Sequence, residues 1–291
     1  MKKKLRIKKI LWATDFSRES LSALDYALFF KKNFDAKLYA IHVIPNLPPL
    51  IYDDAFVDSK EMELNFMRIN KAAVRKIRAI EKRKKISFDD IIISDGAAYE
   101  KIIESAEKNK IDMIFIGKKS HPLWERLLLG STTNRLIHHC KKPIFLSSKK
   151  KRTMEFSDML VPVDLEPIME TELAWAEVLA RKFDSMIDVL HVMELYEYEF
   201  PFETLEKLVQ KISKKLDNSL KDVKAKARYN IVKAIDAADA IVDYAKKKKS
   251  DLIITATHSR SGLSKFFMGS VAEKIVSRSQ IPILLLPNKE D

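Results

Sequence analysis

The sequence predicts an α/β protein of two tandem doubly wound domains, each a five-stranded parallel sheet with helices on both faces. Three observations carry this expectation. The 291 residues suit two domains at about 100–200 residues each. The chain is written twice. Leu11, Asp15, Phe34, Asp35, His42 and Val43 recur 149 positions later as Leu160, Asp164, Phe183, Asp184, His191 and Val192. Asp112, Ser120, Gly130, Ser131, Pro143 and Ile144 recur 139 positions later as Asp251, Ser259, Gly269, Ser270, Pro282 and Ile283. Finally, each copy alternates short apolar runs with helical periodicity, the pattern of strand–helix units around a parallel sheet. The expected domains are 1–149 and 154–291, joined by a solvated basic linker at Lys149–Thr153.

The elements follow in order. Lys9–Thr14 and Met159–Val163 are apolar runs suited to strands buried on both faces. Leu21, Leu24 and Leu28, and then Leu173, Ala176 and Ala180, repeat at helical spacing. Leu38–Ile44 and Ile187–Val192 are second strands. A long amphipathic helix comes next. In copy one, Asp58 and Glu61 form a capping box, and Met62, Phe66, Ile69, Ala73, Ile77 and Ile80 form the buried stripe. In copy two the stripe is Leu205, Leu208, Ile212, Leu216 and Val223. Third strands are Ile91–Ile93 and Ile231–Val232. Fourth strands are Met113–Gly117 and Leu252–Ala256. A last helix and the strands Ile144–Leu146 and Ile283–Leu286 close each unit.

Composition removes whole classes of function. The five glycines, at 96, 117, 130, 262 and 269, are spaced too far apart for the three-glycine dinucleotide fingerprint or the Walker loop. A single cysteine, Cys140, excludes an intrachain disulfide and fits a reducing cytoplasm. No apolar run reaches the roughly 20 residues of a membrane span, so no membrane partner is expected. The net charge of +12 is lopsided: 31 basic against 18 acidic residues up to position 150, and 22 against 23 beyond it.

In a doubly wound fold, ligands sit at the carboxyl ends of the strands, where strand order reverses. That singles out the loops after strands one and four: Asp15 and Gly117 in copy one, Asp164 and Ala256 in copy two. Copy one reads Gly117-Lys-Lys-Ser120, nine residues, then Gly130-Ser131-Thr132. Copy two reads Ala256-Thr-His-Ser259, nine residues, then Gly269-Ser270-Val271.

These segments, with the strand-one aspartates and the His-Val pairs, closely resemble the universal stress protein family. Its nucleotide-binding members carry Gly-x2-Gly-x9-Gly-[Ser/Thr] here, and the resemblance covers most of the chain. It implies the strand order 3-2-1-4-5, halves related by a pseudo-two-fold axis and paired like a family dimer, and ATP, alone or with Mg, as ligand. The binding residues it implies in copy one are Ala13, Thr14, Asp15, Val43, Ile116, Gly117, Lys119, Ser120, Gly130, Ser131 and Thr132. In copy two they are Pro162, Val163, Asp164, Val192, Thr255, Ala256, His258, Ser259, Gly269, Ser270 and Val271.

The residues support such a cradle on their own terms. The last helix of each copy starts near Gly130 or Gly269, where free N–H groups and the helix dipole favour an anion. The hydroxyls of Ser131, Thr132 and Ser270 suit phosphate oxygens. Asp15 suits an amino or ribose hydroxyl group, and Val43 and Val192 suit a base. Phosphoryl-transfer machinery is missing, so slow ATP hydrolysis is the most catalysis expected.

Two departures stand out. Serine replaces the second glycine of the motif in both copies (Ser120, Ser259), either narrowing the pocket or adding a contact. Ala256 replaces the first glycine in copy two, at a cost of about 1 kcal/mol or more if φ there is positive. Lys118 and Lys119 add charge beside the first cradle. Copy one is therefore expected to be the better nucleotide site of the two.

Plainer roles are also open to these residues. The glycines suit tight turns into helices, and Asp15 and Asp164 suit helix caps. His42 and His191 suit satisfied core positions. His138, His139 and Cys140 point in different directions on a helix and make no metal site, and the lysine clusters at 82–85, 149–152 and 246–249 suit solvated surface. The leading expectation is a cytoplasmic ATP-binding regulatory protein of the stress response, working through a protein partner the sequence does not name. Its alternatives are a scaffold without nucleotide and a nucleic-acid or anionic-surface binder. The last has no recognised reading motif, so nucleic acid is the weaker partner. Dimerisation of the whole chain stays open.

Overall fold

The computed structural model describes residues 5–45, 59–118, 130–147, 154–165, 169–194, 201–257 and 269–287. The first half contains β1 (Lys9–Ala13), α1 (Arg18–Phe34), β2 (Lys37–Ile44), α2 (Ser59–Lys84), β3 (Asp90–Asp95), α3 (Ala98–Lys108), β4 (Met113–Gly117), α4 (Ser131–His139) and β5 (Ile144–Ser147). The second contains β6 (Asp158–Pro162), α5 (Met169–Phe183), β7 (Met186–Glu194), α6 (Phe202–Leu220), β8 (Ala227–Ala234), α7 (Ala237–Lys248), β9 (Leu252–Ala256), α8 (Ser270–Arg278) and β10 (Ile283–Leu286).

All ten strands form one sheet in the order β3-β2-β1-β4-β5-β10-β9-β6-β7-β8. Each half is therefore 3-2-1-4-5 in its own numbering, with parallel neighbours throughout. The halves join where β5 and β10 pair antiparallel, with Phe145 opposite Leu284. Those two residues are repeat equivalents, so the pseudo-two-fold passes through their pair. Each strand would otherwise be an unprotected edge of buried apolar residues.

Two cores cover the two faces of the sheet. On the face carrying α1 and α5, Phe30 and Phe145 are fully buried among Phe115, Phe156 and Phe183. On the other face Leu11, Ile114, Leu160 and Ile253 lie beneath α3, α4, α7 and α8.

The repeat markers in the sequence have physical roles. Asp112 Oδ2 accepts from the Lys8 and Lys9 amides at 2.8 and 2.9 Å. Its equivalent Asp251 accepts from the Ser157 and Asp158 amides at 2.7 and 3.0 Å. Each fastens the start of its first strand. Asp35 and Asp184 both hold the left-handed conformation, with φ of 51° and 54°. Aspartate visits that region more readily than bulkier residues, which suits the end of a helix.

One expectation is corrected. The stripe of α2 is buried only from Ala73 onward, while Phe66 and Ile69 are exposed. Leu208 of α6 is likewise exposed. At 26 residues, α2 is about 39 Å long, whereas the six-residue β3 beside it spans about 20 Å. Its first turns therefore have no sheet beneath them. Asp58, Glu61 and Met62 of the expected capping box and stripe lie outside the described residues and side chains. Among the described residues, no helix is long and apolar enough to cross a membrane.

Candidate functional site

The carboxyl ends of β1, β2 and β4 and the N-termini of α3 and α4 enclose a cleft of about 150 Å³. Nine of the eleven residues expected in copy one line it: Ala13, Thr14, Asp15, Val43, Ile116, Gly117, Gly130, Ser131 and Thr132. Lys119 and Ser120, like His258 and Ser259 of copy two, lie outside the described residues. The cleft also takes in Ser17, Ser20, Ile41, Ala98, Ile102 and Thr133, which motif reasoning missed. Ser17 and Ser20 were legible as a helix start, since Ser17 is the N-cap of α1 and accepts from the Ser20 amide.

A web of short polar contacts fixes the floor of the cleft. Trp12 Nε1 donates to the Ser20 carbonyl at 2.6 Å, and the Thr14 and Ser20 hydroxyls lie 3.0 Å apart. The Phe16 amide donates to Thr14 Oγ1 at 2.9 Å, and Ser147 Oγ donates to the Glu19 carbonyl at 3.2 Å. The start of α1 is thereby pressed against the end of β4.

Gly117 permits this approach. A Cβ there would lie 2.3–2.6 Å from the backbone of Glu19 and Ser20. The φ of Gly117 is not in the left-handed region, so the positive-φ condition does not apply here and the constraint is the neighbouring helix. Ala256, its counterpart, is itself buried in the core of the second half.

Asp15 is exposed, and its Oδ1 accepts from the amide and hydroxyl of Ser17 at 3.0 and 2.5 Å. Burial alone would raise its carboxyl, but the bonds from Ser17 and Ser20 outweigh that and hold it below the usual 3.8. Asp15 is therefore ionised at neutral pH. It braces the N-cap residue rather than serving as the cap.

Gly130 and Gly269 are the N-caps of α4 and α8, with φ/ψ of −55°/140° and −60°/141° and no side-chain cap bond. The first-turn amides of both helices have no intrahelical acceptor. In copy two, Val163, Thr255 and Ala256 are buried at the strand ends and Val192 is half-buried, while Asp164, Ser270 and Val271 are exposed and Pro162 ends β6. Asp164 Oδ1 accepts from the Leu165 amide at 3.1 Å.

Two expectations about neighbouring residues resolve as follows. His42 and His191 occupy equivalent places, with Nδ1 at 2.7 and 3.0 Å from the carbonyls of Thr14 and Val163. They tie strand two to the end of strand one. Lys118 does not turn its charge to the first cleft. Its Nζ donates to the Ser279 carbonyl at 2.6 Å, across the domain junction and at the C-cap of α8. A cation at a helix C-terminus is favoured by the dipole, so this lysine fastens one half to the other.

The fold is that of a tandem doubly wound α/β protein with a cleft at the strand ends of its first half. This chain belongs to the universal stress protein family, whose pattern matches residues 6–147 and again 155–287. A universal stress protein of Methanocaldococcus jannaschii is 30% identical over 145 residues, spanning 50% of this chain and 84% of the relative. One of Mycolicibacterium smegmatis is 24% identical over 299 residues, spanning 95% of this chain and 96% of the relative. The crystal structure of a universal stress protein from Archaeoglobus fulgidus covers 97% of this chain and 98% of its own, with a TM-score of 0.70 at 18% identity. That likeness is one of fold.

Proposed function

We propose that this chain is an ATP-binding regulatory member of its family and that the first cradle is the principal site. The observation that carries the reading is convergence. The ionised Asp15, the apolar Val43 and Ile116, and the free amides of α4 with the hydroxyls of Ser131 and Thr132 all line one cleft. That set matches an adenine nucleotide part by part. Val43 and Ile116 suit the base, Asp15 suits an amino or hydroxyl donor, and the α4 terminus suits phosphate. A magnesium ion carried with ATP would meet one carboxylate, Asp15, and would be held chiefly by the phosphates.

Among the described residues the cradle contains no base–nucleophile pair, and the sequence has no Walker lysine loop, so the reading is binding rather than turnover. Ligand state would act through the surface around the cleft on a protein partner. The same reading keeps the protein in the cytoplasm. The second cradle is the weaker site in this proposal, because Ala256 replaces the glycine that lets α1 seat against β4.

Mass spectrometry of the small molecules released on denaturing the purified protein tests the proposal, together with calorimetric titration of the emptied protein with ATP. Release of an adenine nucleotide and saturable binding support it. No nucleotide released and no heat at millimolar ATP would replace it with the scaffold reading.

A further inference from the structure

We propose that α2 docks the first domain onto an anionic lipid bilayer surface. On a helix, positions 64, 68, 71, 75, 78 and 82 fall in one row. They are Leu64, Arg68, Lys71, Arg75, Arg78 and Lys82, and all six are exposed. The opposite side, Ala73, Ile77 and Ile80, is buried against the sheet. Five cations thus line the outward face over about 21 Å. Of the five, Arg78 is paired, with Glu81 at 2.7 Å.

The start of the same helix is apolar and uncovered. Leu64 is 54% exposed, Met67 48%, Ile69 42% and Phe66 41%. These are four of the seven exposed large hydrophobic residues among the described residues. Leu64 and Met67 lie on the outward side, in line with the cations.

The fold does not require this surface. The helix in the equivalent place, α6, mixes Lys207, Lys211, Lys214 and Lys215 with Glu203, Glu206 and Asp217. Across α2 nine basic residues stand against three acidic ones, a net +6, whereas α6 nets +1, so about half of the first half's excess charge lies on this one helix.

The combination selects the partner. Nucleic acid would neutralise the basic row but leave Leu64, Phe66 and Met67 in water. A second copy of α2 would bring like charges together. A bilayer interface takes both parts, with apolar side chains at the headgroup–acyl boundary and cations among anionic headgroups. The absence of a spanning segment, which argued against a membrane partner, does not bear on a helix lying at the surface.

Flotation of the full-length protein with phosphatidylcholine vesicles, with or without roughly 30% phosphatidylglycerol, tests this. Wild type should float with the anionic vesicles alone. Arg68→Glu/Lys71→Glu/Arg75→Glu should lower its partitioning at least about tenfold, and Leu64→Ser/Met67→Ser should lower it as well. Circular dichroism should show both variants folded, since every changed side chain is exposed. Failure to float with anionic vesicles would overturn the proposal, as would equal binding by the charge-reversed variant. Displacement from vesicles by random duplex DNA, with Leu64→Ser/Met67→Ser binding like wild type, would overturn it in favour of a nucleic-acid face.

Discussion

Phe34 and Phe183 occupy the same position in the two repeats, and their rings meet edge to face across the domain junction. The centroids are 5.7 Å apart and the planes 83° apart. Contact between equivalent residues is what a two-fold interface requires, and the Phe145–Leu284 pair of the sheet repeats the relationship one layer below. The chain has internalised a symmetric interface, with α1 and α5 packed over a strand pair that belongs to both halves.

A double-mutant cycle on Phe34→Leu and Phe183→Leu measures that contact. The coupling energy should be about 0.5–1.5 kcal/mol by chemical denaturation. Additive effects would show that the rings contribute only separate burial.

Gly117→Ala should destabilise the first half by about 1–3 kcal/mol, because the new methyl group meets the backbone of Glu19 and Ser20 rather than a movable side chain. The variant should also lose ligand affinity as α1 is pushed off β4. Thermal denaturation that matches wild type would mean that α1 shifts freely, and the account of this glycine would then fail.

Glu172 gives the protein a pH dependence of its own. It is buried on α5 where the repeat equivalent is Ala23, and its Oε2 has no hydrogen-bond partner among the described residues. Burial pushes its carboxyl up to about 7, opposed only by its own backbone amide. The proton is therefore bound in the folded state after the unfolded chain has released it, above about 4.5. Stability falls as pH rises from about 4.5 to 7, by about 3 kcal/mol, and levels off above that range. Wild type should thus be more stable at pH 5 than at pH 7.5 by more than Glu172→Ala is. An unchanged pH slope in Glu172→Ala would assign the dependence to other groups.

Most of the strands were legible because buried parallel strands read as unbroken apolar runs. The exception is β8, expected as Ile231–Val232 and found as Ala227–Ala234. It is an edge strand, and its polar residues have work elsewhere. Arg228 and Asn230 hydrogen-bond the buried Asp188 at 2.9 and 2.8 Å. For α2, periodicity told which side faces the sheet and nothing of how far the sheet extends, so Phe66 and Ile69 were misplaced. In the site, motif spacing located the glycines and the strand ends. Ser17 and Ser20 read as a helix start, but their place in the cleft follows from the way α1 folds back on β4, and the reach of Lys118 to Ser279 depends on how the two repeats face each other.

Calorimetric titration of ATP into Gly130→Asp and Gly269→Asp tests the central claim most directly. Position 130 has φ of −55° and is an N-cap without a side-chain bond. Aspartate fits that backbone and can cap α4, so the fold should be kept. Its carboxylate would stand where phosphate is proposed to meet the helix amides. Gly130→Asp should therefore remove most ATP binding, while Gly269→Asp leaves the principal binding heat intact. Abolition of binding by Gly269→Asp, with Gly130→Asp binding like wild type, would contradict the assignment of the first cradle as the nucleotide site.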